Sequence, residues 1–206
     1  MTQIFAVANT KGGVGKSTTS VHLAYWLTQQ NKGKVEFVNA SFQKGVHKWL
    51  EELSIPFQQE SDPDELVTLI EQLEAEYVIV DIPGVSEVVR VILDYCDRVL
   101  IPVQPTALDL NDCLTMIKII DRKQKLRKSL KAAFFLSLVD RRSNASKQAR
   151  LYFEKHRIKL LQTQVRRLQV ISDAPLELTT VFDMNNTAAK QAAQDYNHLF
   201  QEFISL

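Results

Sequence analysis

At 206 residues, 45% of them apolar, the chain is long enough to bury one sizeable core and too short to require two full domains, so we expect a single domain over 1–206. No apolar run approaches the roughly 20 residues that a membrane span needs, and no basic, cleavable leader is apparent, which predicts a cytoplasmic protein without a membrane partner. The two cysteines, Cys96 and Cys113, lack metal-ligand or redox spacing and are predicted to be buried, reduced thiols.

The charges are polarised along the chain, although the formal net charge is only +1. The stretch 118–167 holds 16 Lys and Arg against 3 acidic residues, whereas the remainder holds 9 basic and 21 acidic residues. A neutral chain with this distribution is predicted to present one basic face.

Apolar runs with strand and helix periodicity alternate from the N-terminus onward. Strands are predicted at 4–8, 35–38, 77–80, 98–102 and 132–139, with helices after the first glycine-rich turn and near 62–73, 86–95, 108–128, 144–156 and 185–204. The segment 158–184 gives no clear pattern. This alternation predicts an α/β fold: a doubly wound, mostly parallel sheet with helices on both faces and ligands at the carboxyl ends of its strands.

A glycine-rich loop at 9–18 follows the first strand and opens a helix, which is the context of a phosphate site. Its glycines allow the backbone to curl around polyphosphate oxygens, with Lys16 at the β- and γ-phosphates and the Ser17 hydroxyl at Mg²⁺. The alternative is a glycine-rich turn without a ligand. The residues predicted to bind nucleotide here are Gly12, Gly13, Val14, Gly15, Lys16, Ser17 and Thr18.

This loop departs from the ordinary Walker A pattern at two positions. Thr10 stands where the first glycine belongs, and a second lysine, Lys11, follows it. Lys-Gly-Gly-x-Gly-Lys-Ser resembles the deviant Walker A box of the ParA/MinD ATPases. The resemblance implies a P-loop NTPase in which Lys11 reaches across an ATP-bound homodimer to the partner's nucleotide; the alternative is a surface lysine.

Three later segments extend the resemblance. Tyr77–Gly84 ends an apolar strand in Asp81, as a Walker B strand does, so Asp81 is assigned to catalysis with Lys11 and Lys16 and to Mg²⁺ binding with Ser17. The segment 102–110 is similar to one typical of ParA proteins. Arg167–Ala174 resembles a late segment of the family, and Pro175 and Leu176 fall where relatives line the adenine.

The segment after the second strand departs from the family pattern. Relatives carry an Asp-x-Asp-Pro-Gln-like switch that positions magnesium and the attacking water, whereas this chain has Asn39, Ser41 and Gln43 at its polar positions. Neutral side chains orient water but supply no carboxylate. We therefore expect tight ATP binding with hydrolysis that is slow, dependent on a partner or carried by another group.

Two further positions bear on the base and on the family branch. Ser137–Asp140 replaces an Asn-Arg-Val-Asp-like string that contributes to base recognition in relatives, which weakens the basis for adenine selectivity. A tryptophan at the position of Trp49, six residues after Gln43, resembles the short ParA branch that includes small plasmid partition ATPases and the carboxysome-distribution ATPases (McdA). Its alternative is a core aromatic on an amphipathic helix.

The basic stretch contains two clusters, and nucleic-acid binding is weighed against a merely solvated face. The first cluster is Arg122, Lys123, Lys125, Arg127, Lys128 and Lys131. The second includes Lys159 and the residues assigned to DNA binding: Lys147, Arg150, Lys155, Arg157, Arg166 and Arg167. Few aromatic residues interleave with these charges, which favours contacts with duplex phosphates over stacking on single strands.

The resemblance implies an ATPase that dimerises with ATP and Mg²⁺, binds nucleoid DNA without sequence preference and positions a carboxysome or plasmid through a ParB-like or McdB-like adaptor. Two rivals remain open: a membrane-patterning ATPase like MinD, and a P-loop ligase of the cobyrinate or biotin pathway type. The stretch 191–206 has no Lys or Arg for anionic lipid. No constellation of substrate acids and bases points to a ligase, and cluster-bridging cysteines like those of the nitrogenase iron protein are missing from suitable loops.

Overall fold

The structure, a computed structural model, describes residues 2–30, 33–41, 44–84 and 87–206. The strands are β1 (Gln3–Val7), β2 (Val35–Asn39), β3 (Phe57–Gln59), β4 (Tyr77–Asp81), β5 (Arg98–Val103), β6 (Lys131–Val139) and β7 (Leu160–Arg166). The helices are α1 (Lys16–Gln29), α2 (His47–Glu52), α3 (Pro63–Gln72), α4 (Glu87–Tyr95), α5 (Ala107–Leu126), α6 (Ala145–Lys155), α7 (Gln169–Asp173) and α8 (Thr187–Ile204). A 3-10 turn over Lys44–Val46 precedes α2.

The seven strands form one sheet in the order β3-β2-β4-β1-β5-β6-β7, and every pair is parallel. The last residues of β1 and β2, Val7 and Asn39, are both in register with Asp81 at the end of β4. The chain leaves β1 towards β2 on one side and later crosses to β5 on the other. The sheet order therefore reverses at β1, which is where doubly wound sheets bind ligands.

Two apolar cores cover the two faces of the sheet, because alternate residues of a strand point to opposite sides. Phe5 packs with residues of α1, α2, α7 and α8, whereas its neighbour Ala6 packs with residues of α3, α4, α5 and α6. Cys96 and Cys113 are buried in the second core as free cysteines. The predicted fold class, a parallel doubly wound sheet with helices on both faces, is confirmed.

Three elements differ from the sequence-based expectation. β3 was not predicted, because it has three residues, pairs with only one strand and carries no full period of alternation. The segment without a clear pattern holds β7 and the five-residue helix α7. Trp49 is a core residue of α2, 2% exposed, and its indole N–H donates to the Thr179 carbonyl at 2.8 Å. Within the described part of the chain, no helix is long and apolar enough to cross a membrane.

Candidate functional site

The glycine-rich loop lies at the centre of the sheet, between the end of β1 and the start of α1. Gly13 and Gly15 have φ values of +72° and +91°, a left-handed conformation that residues with a Cβ rarely adopt. Gly15 is also the residue that caps the N-terminus of α1. The loop therefore turns directly into a helix N-terminus, whose free N–H groups and positive dipole end favour a bound anion.

Lys16 is the first residue of α1, and its side chain folds back along the loop. Its ammonium donates to the Lys11 carbonyl at 2.7 Å. Burial lowers the pKa of Lys16, and the negative charge of Asp81 opposes that shift. Gly84, just after β4, lies against the same group: a Cβ placed there would be 3.2 Å from the Thr10 carbonyl oxygen and 3.5 Å from the Lys16 Nζ atom. The loop after β4 thus packs directly against the phosphate loop.

Asp81 ends β4 and is 2% exposed. The Ser20 hydroxyl donates to its Oδ1 atom at 2.9 Å, and the Ser17 hydroxyl also hydrogen-bonds to it. Burial raises the pKa of Asp81 to about 6, against the opposing effects of Ser17, Ser20 and Lys16. The structure brings Ser17 and Asp81 together, and their hydroxyl and carboxylate oxygens are the ligand types that Mg²⁺ prefers.

The predicted switch begins beside this carboxylate. Asn39, 1% exposed, ends β2 next to Asp81 in the sheet. Its Oδ1 atom accepts a hydrogen bond from the Ser41 N–H at 3.1 Å, and its Nδ2 atom lies 3.0 Å from the His47 Nε2 atom. Ser41 lines the cavity described below, whereas Gln43 lies outside the described residues. His47, on α2, is a neighbour of the switch that the sequence pattern did not single out.

A cavity of about 460 Å³ joins the phosphate loop to a more apolar end. One end is lined by Gly12–Thr19, Ser41 and the residues 81–84. The other end is lined by Phe135, Ser137, Leu138, Val165, Ile171, Ser172 and Tyr196. The Ser137 hydroxyl is used within the fold, since it donates to the Val14 carbonyl at 2.9 Å. A polar, cationic end beside an apolar end matches the two parts of a nucleotide.

The residues predicted to line the base lie elsewhere. Pro175 and Leu176 are not among the residues that line the cavity, and Leu176 is 82% exposed. The short helix α7 places Ile171 and Ser172 at the cavity. The role predicted for Pro175 and Leu176, whose backbone groups would line the base, stays a prediction.

Lys11 is held by its own chain. Its ammonium lies 3.2 Å from the Asp109 Oδ1 atom and 3.1 Å from the Asp112 Oδ2 atom, both on the first turns of α5. Both acids raise the pKa of Lys11, and the hydrogen bond to Asp112 has the larger effect. Its side chain is 30% exposed, so the lysine is neither buried nor a free surface cation.

His22 links α1 to the segment that follows α7, beside the cavity. Its Nδ1–H donates to the Thr18 carbonyl at 2.7 Å, and its Nε2 atom accepts from the Val181 N–H at 3.2 Å. The ring stacks on Tyr196 with 4.7 Å between centroids and is fully buried. The Val181 hydrogen bond requires a neutral ring, and burial lowers the pKa of His22 to about 4.

A pH dependence of stability follows from this histidine. Between about pH 6.5 and 4, His22 is protonated in the unfolded chain but stays neutral in the folded protein. The free energy of unfolding should therefore fall as the pH is lowered through this range, by roughly 3 kcal/mol in total. Urea unfolding at a series of pH values measures this slope. His22→Gln should show a shallower slope over that range, whereas His198→Gln, at an exposed position, should keep the slope of the wild type. Equal slopes in all three proteins would contradict the prediction.

The residues assigned to DNA binding do not share one environment. Lys147, Lys155, Arg157 and Arg167 are exposed. Arg150 is half-buried, and its guanidinium donates to the carbonyls of Leu161 and Gln162 at 3.1 and 2.6 Å. Arg167 lies near the phosphate loop, since it donates to Gln104, whose amide donates to the Gly13 carbonyl.

Arg166 is buried and paired with an acid of the fold, which corrects its assignment to DNA binding. It is 7% exposed, and its guanidinium makes two hydrogen bonds of 2.7 Å to the Asp195 carboxylate. It also donates to the carbonyl and side chain of Gln191. The side chain thus ties β7 to α8 and has no exposed group left for a phosphate.

Arg166→Ala should lower the free energy of unfolding by about 3 kcal/mol, because it leaves Asp195 partly buried without its partner. The neighbouring Arg167→Ala should change it by less than about 0.5 kcal/mol, because that side chain is exposed. Urea titrations of the two variants give the comparison. A stable Arg166→Ala protein with impaired duplex binding would restore the original assignment.

Comparison with known proteins shows the family to which the chain belongs. The model of the CobQ/CobB/MinD/ParA nucleotide binding domain matches residues 5–181. Maintenance of carboxysome distribution protein A of Halothiobacillus neapolitanus is 31% identical, covering 97% of this chain and 95% of that protein. The protein of the same name from Gloeobacter kilaueensis is 28% identical, covering 97% and 93%. A putative plasmid partition protein of Borrelia burgdorferi B31, solved bound to AMPPNP, has a TM-score of 0.76 at 17% identity, covering 100% and 99%.

The fold and the phosphate loop define a P-loop NTPase. The chain belongs to the CobQ/CobB/MinD/ParA nucleotide-binding domain family, and its resemblance to the ParA/MinD ATPases is confirmed.

Proposed function

We propose that residues 1–206 form a single ATPase domain that positions a large intracellular cargo. The observation that carries the proposal is the convergence of Lys16, Ser17 and Asp81 at one end of a nucleotide-sized cavity. The two curated relatives, which span nearly the whole chain, are both named for maintenance of carboxysome distribution. A carboxysome is therefore the favoured cargo, with a plasmid as the alternative.

ATP and Mg²⁺ fit the residues present. At Gly12, Gly13 and Gly15 an added Cβ would meet nothing within 4 Å, so the loop borders open space that the phosphates can occupy. Residues 12–18 hold the phosphates, with Lys16 as their half-buried cation, and Ser17 and Asp81 supply oxygen ligands for the metal. When bound, Mg²⁺ neutralises phosphate charge during hydrolysis. The apolar end of the cavity receives the base.

Hydrolysis by this chain alone should be slow. The position next to Asp81 is Asn39, a side chain already engaged with Ser41 and His47 and without a carboxylate. We propose that Asn39, Ser41 and Gln43 orient water without activating it, so that a partner accelerates turnover. A basal kcat as high as that of ParA proteins with both switch acids would contradict this view.

Cargo positioning requires a surface that the nucleotide switches on and off. We propose that ATP closes a homodimer, that the dimer binds nucleoid DNA without sequence preference, and that a ParB-like or McdB-like adaptor on the cargo triggers release. The protein is then cytoplasmic and associated with the nucleoid. A dimer doubles the exposed cations Lys147, Lys155, Arg157 and Arg167, and each added phosphate contact releases counterions.

Duplex binding tests the proposal. Unrelated duplexes should bind equally with ATP and poorly with ADP, and affinity should fall at least about 100-fold between 50 and 200 mM salt, as counterion release predicts. Lys155→Glu should weaken binding about tenfold, because it reverses an exposed cation of the basic face. Lys190→Glu, an exposed charge reversal on α8, is the matched control and should bind normally. Salt-independent binding, or no binding with ATP, would reject the DNA step.

Membrane patterning of the MinD type is disfavoured by the packing of α8. Its apolar stripe, which includes Tyr196, Leu199 and Phe203, is buried in the core rather than available to lipid. A liposome flotation assay with ATP should therefore leave the protein in the aqueous phase. A small-molecule ligase assay tests the remaining alternative, a ligase of the cobyrinate or biotin pathway type.

A further inference from the structure

A groove of about 900 Å³ runs along the second half of α5, where that helix faces α4. Arg90 of α4 lines one side, and Lys118, Arg122 and Leu126 are among the residues that α5 contributes. Arg122 lies thirteen residues beyond Asp109, which corresponds to about 20 Å along the helix. The part of the groove around Arg122 is therefore remote from Lys11, whereas Thr115, at the near end, lies three residues beyond Asp112.

The cations of the groove fall into two groups. Lys123 and Lys125 are paired with Asp94 and Asp121. For Arg90, Lys118 and Arg122, by contrast, no carboxylate of the described residues lies within 4.0 Å, and all three are exposed. Three cations along one groove therefore have charge to offer an acidic ligand.

An apolar strip lies among these cations. Ile119 is half-buried and packs in part against the core, and Leu126, the last residue of α5, is 79% exposed. Thr115, Ile119, Arg122 and Leu126 recur at spacings of four, three and four, which places them on one face of α5. Together they offer apolar contact in a concave surface to another protein segment.

We propose that this groove, defined by Arg90, Thr115, Lys118, Ile119, Arg122 and Leu126, binds an acidic amphipathic helix of a partner protein. The apolar face of that helix covers Ile119 and Leu126, and its carboxylates pair with Arg90, Lys118 and Arg122. Duplex DNA fits less well, because phosphates would leave the apolar strip uncovered. The inference goes beyond the nucleotide cycle and holds whether or not the chain hydrolyses ATP.

Fluorescence anisotropy with labelled synthetic peptides tests this groove. The probe is a helical peptide of about 18 residues with leucines at helical spacing and glutamates on the remaining positions. It should bind with a Kd of about 10–100 μM. Arg122→Glu should weaken it at least tenfold by charge repulsion, and Leu126→Ser should weaken it about fivefold by removing apolar contact. Both residues are exposed, so the thermal midpoint should stay unchanged.

The controls separate this site from general charge effects. Lys128→Glu, also a charge reversal, and Leu151→Ser change exposed positions outside the groove and should alter Kd less than about twofold. A peptide of equal composition with its leucines off one face should bind at least tenfold more weakly. Failure of the amphipathic peptide to bind, or equal binding of the permuted peptide, would overturn the proposal. A competing duplex of about 20 base pairs gives the last test. If the duplex displaces the peptide, and if its affinity falls in Arg122→Glu but not in Leu126→Ser, the groove binds nucleic acid and the proposal is overturned.

Discussion

Replacing Lys16 with alanine is expected to lower the affinity for ATP with Mg²⁺ at least about 100-fold, a loss of roughly 2.7 kcal/mol in binding free energy. The lysine is the half-buried cation of the phosphate loop, and its ammonium needs only to exchange the Lys11 carbonyl for phosphate oxygens. Charge-assisted hydrogen bonds to phosphate are among the stronger polar interactions in proteins. Isothermal titration calorimetry with ATP measures the change directly.

The electrostatic partner of Lys16 sharpens this test. Asp81 is fully buried and its pKa is already raised to about 6, with the charge of Lys16 among the effects that hold it down. Without Lys16, the pKa of Asp81 should rise further, so the variant should also bind Mg²⁺ nucleotide less well at low pH than at high pH. Lys190→Ala, which removes an exposed lysine of α8, is the control and should bind ATP normally. Wild-type affinity in Lys16→Ala would exclude this loop as the phosphate site.

The part of the site that sequence predicts well is contiguous or falls at strand ends. The loop 9–18 carries its own context, a strand before it and a helix after it, so Lys16 and Ser17 can be placed without tertiary information. Asp81 ends an apolar strand, and parallel strands end at the same edge of a sheet, which is why it meets Ser17. Ser20 was missed, although its position one turn after Lys16 on α1 points to the same side.

The remaining contacts depend on distant segments that leave no periodic signal. Arg166 and Arg167 are indistinguishable in the sequence, and only the packing of α8 against β7 decides that the first is buried with Asp195. The contact of His47 with Asn39 depends on the path of the chain through the intervening turn, which no motif specifies. Lys11 meets acids that lie almost a hundred residues away on α5, so its ion pairs could not be predicted from the loop.

These ion pairs lead to the second large effect, which concerns Lys11. If Lys11 contacts the partner's nucleotide in an ATP-bound dimer, it must leave Asp109 and Asp112, which now hold its ammonium at 3.2 and 3.1 Å. Its exposed fraction of 30% and its position on the loop surface permit that movement. Lys11→Ala should therefore weaken the ATP-dependent dimer at least about 100-fold, whereas the affinity of the monomer for ATP should change less than about threefold.

Sedimentation velocity with ATP, with ADP and without nucleotide, combined with ATP titration, separates the roles of the two lysines. Lys16→Ala should lose nucleotide binding and dimer together, whereas Lys11→Ala should lose only the dimer. Lys125→Ala removes another lysine that is paired with an acid of α5, so it controls for the loss of an ion pair and should dimerise normally. Unchanged ATP-dependent dimers in Lys11→Ala would exclude a role for Lys11 across the dimer and leave only its ion pairs within its own chain. Loss of monomer affinity for ATP would instead show that Lys11 serves its own nucleotide, because a lysine acting across the dimer contributes nothing before the dimer forms.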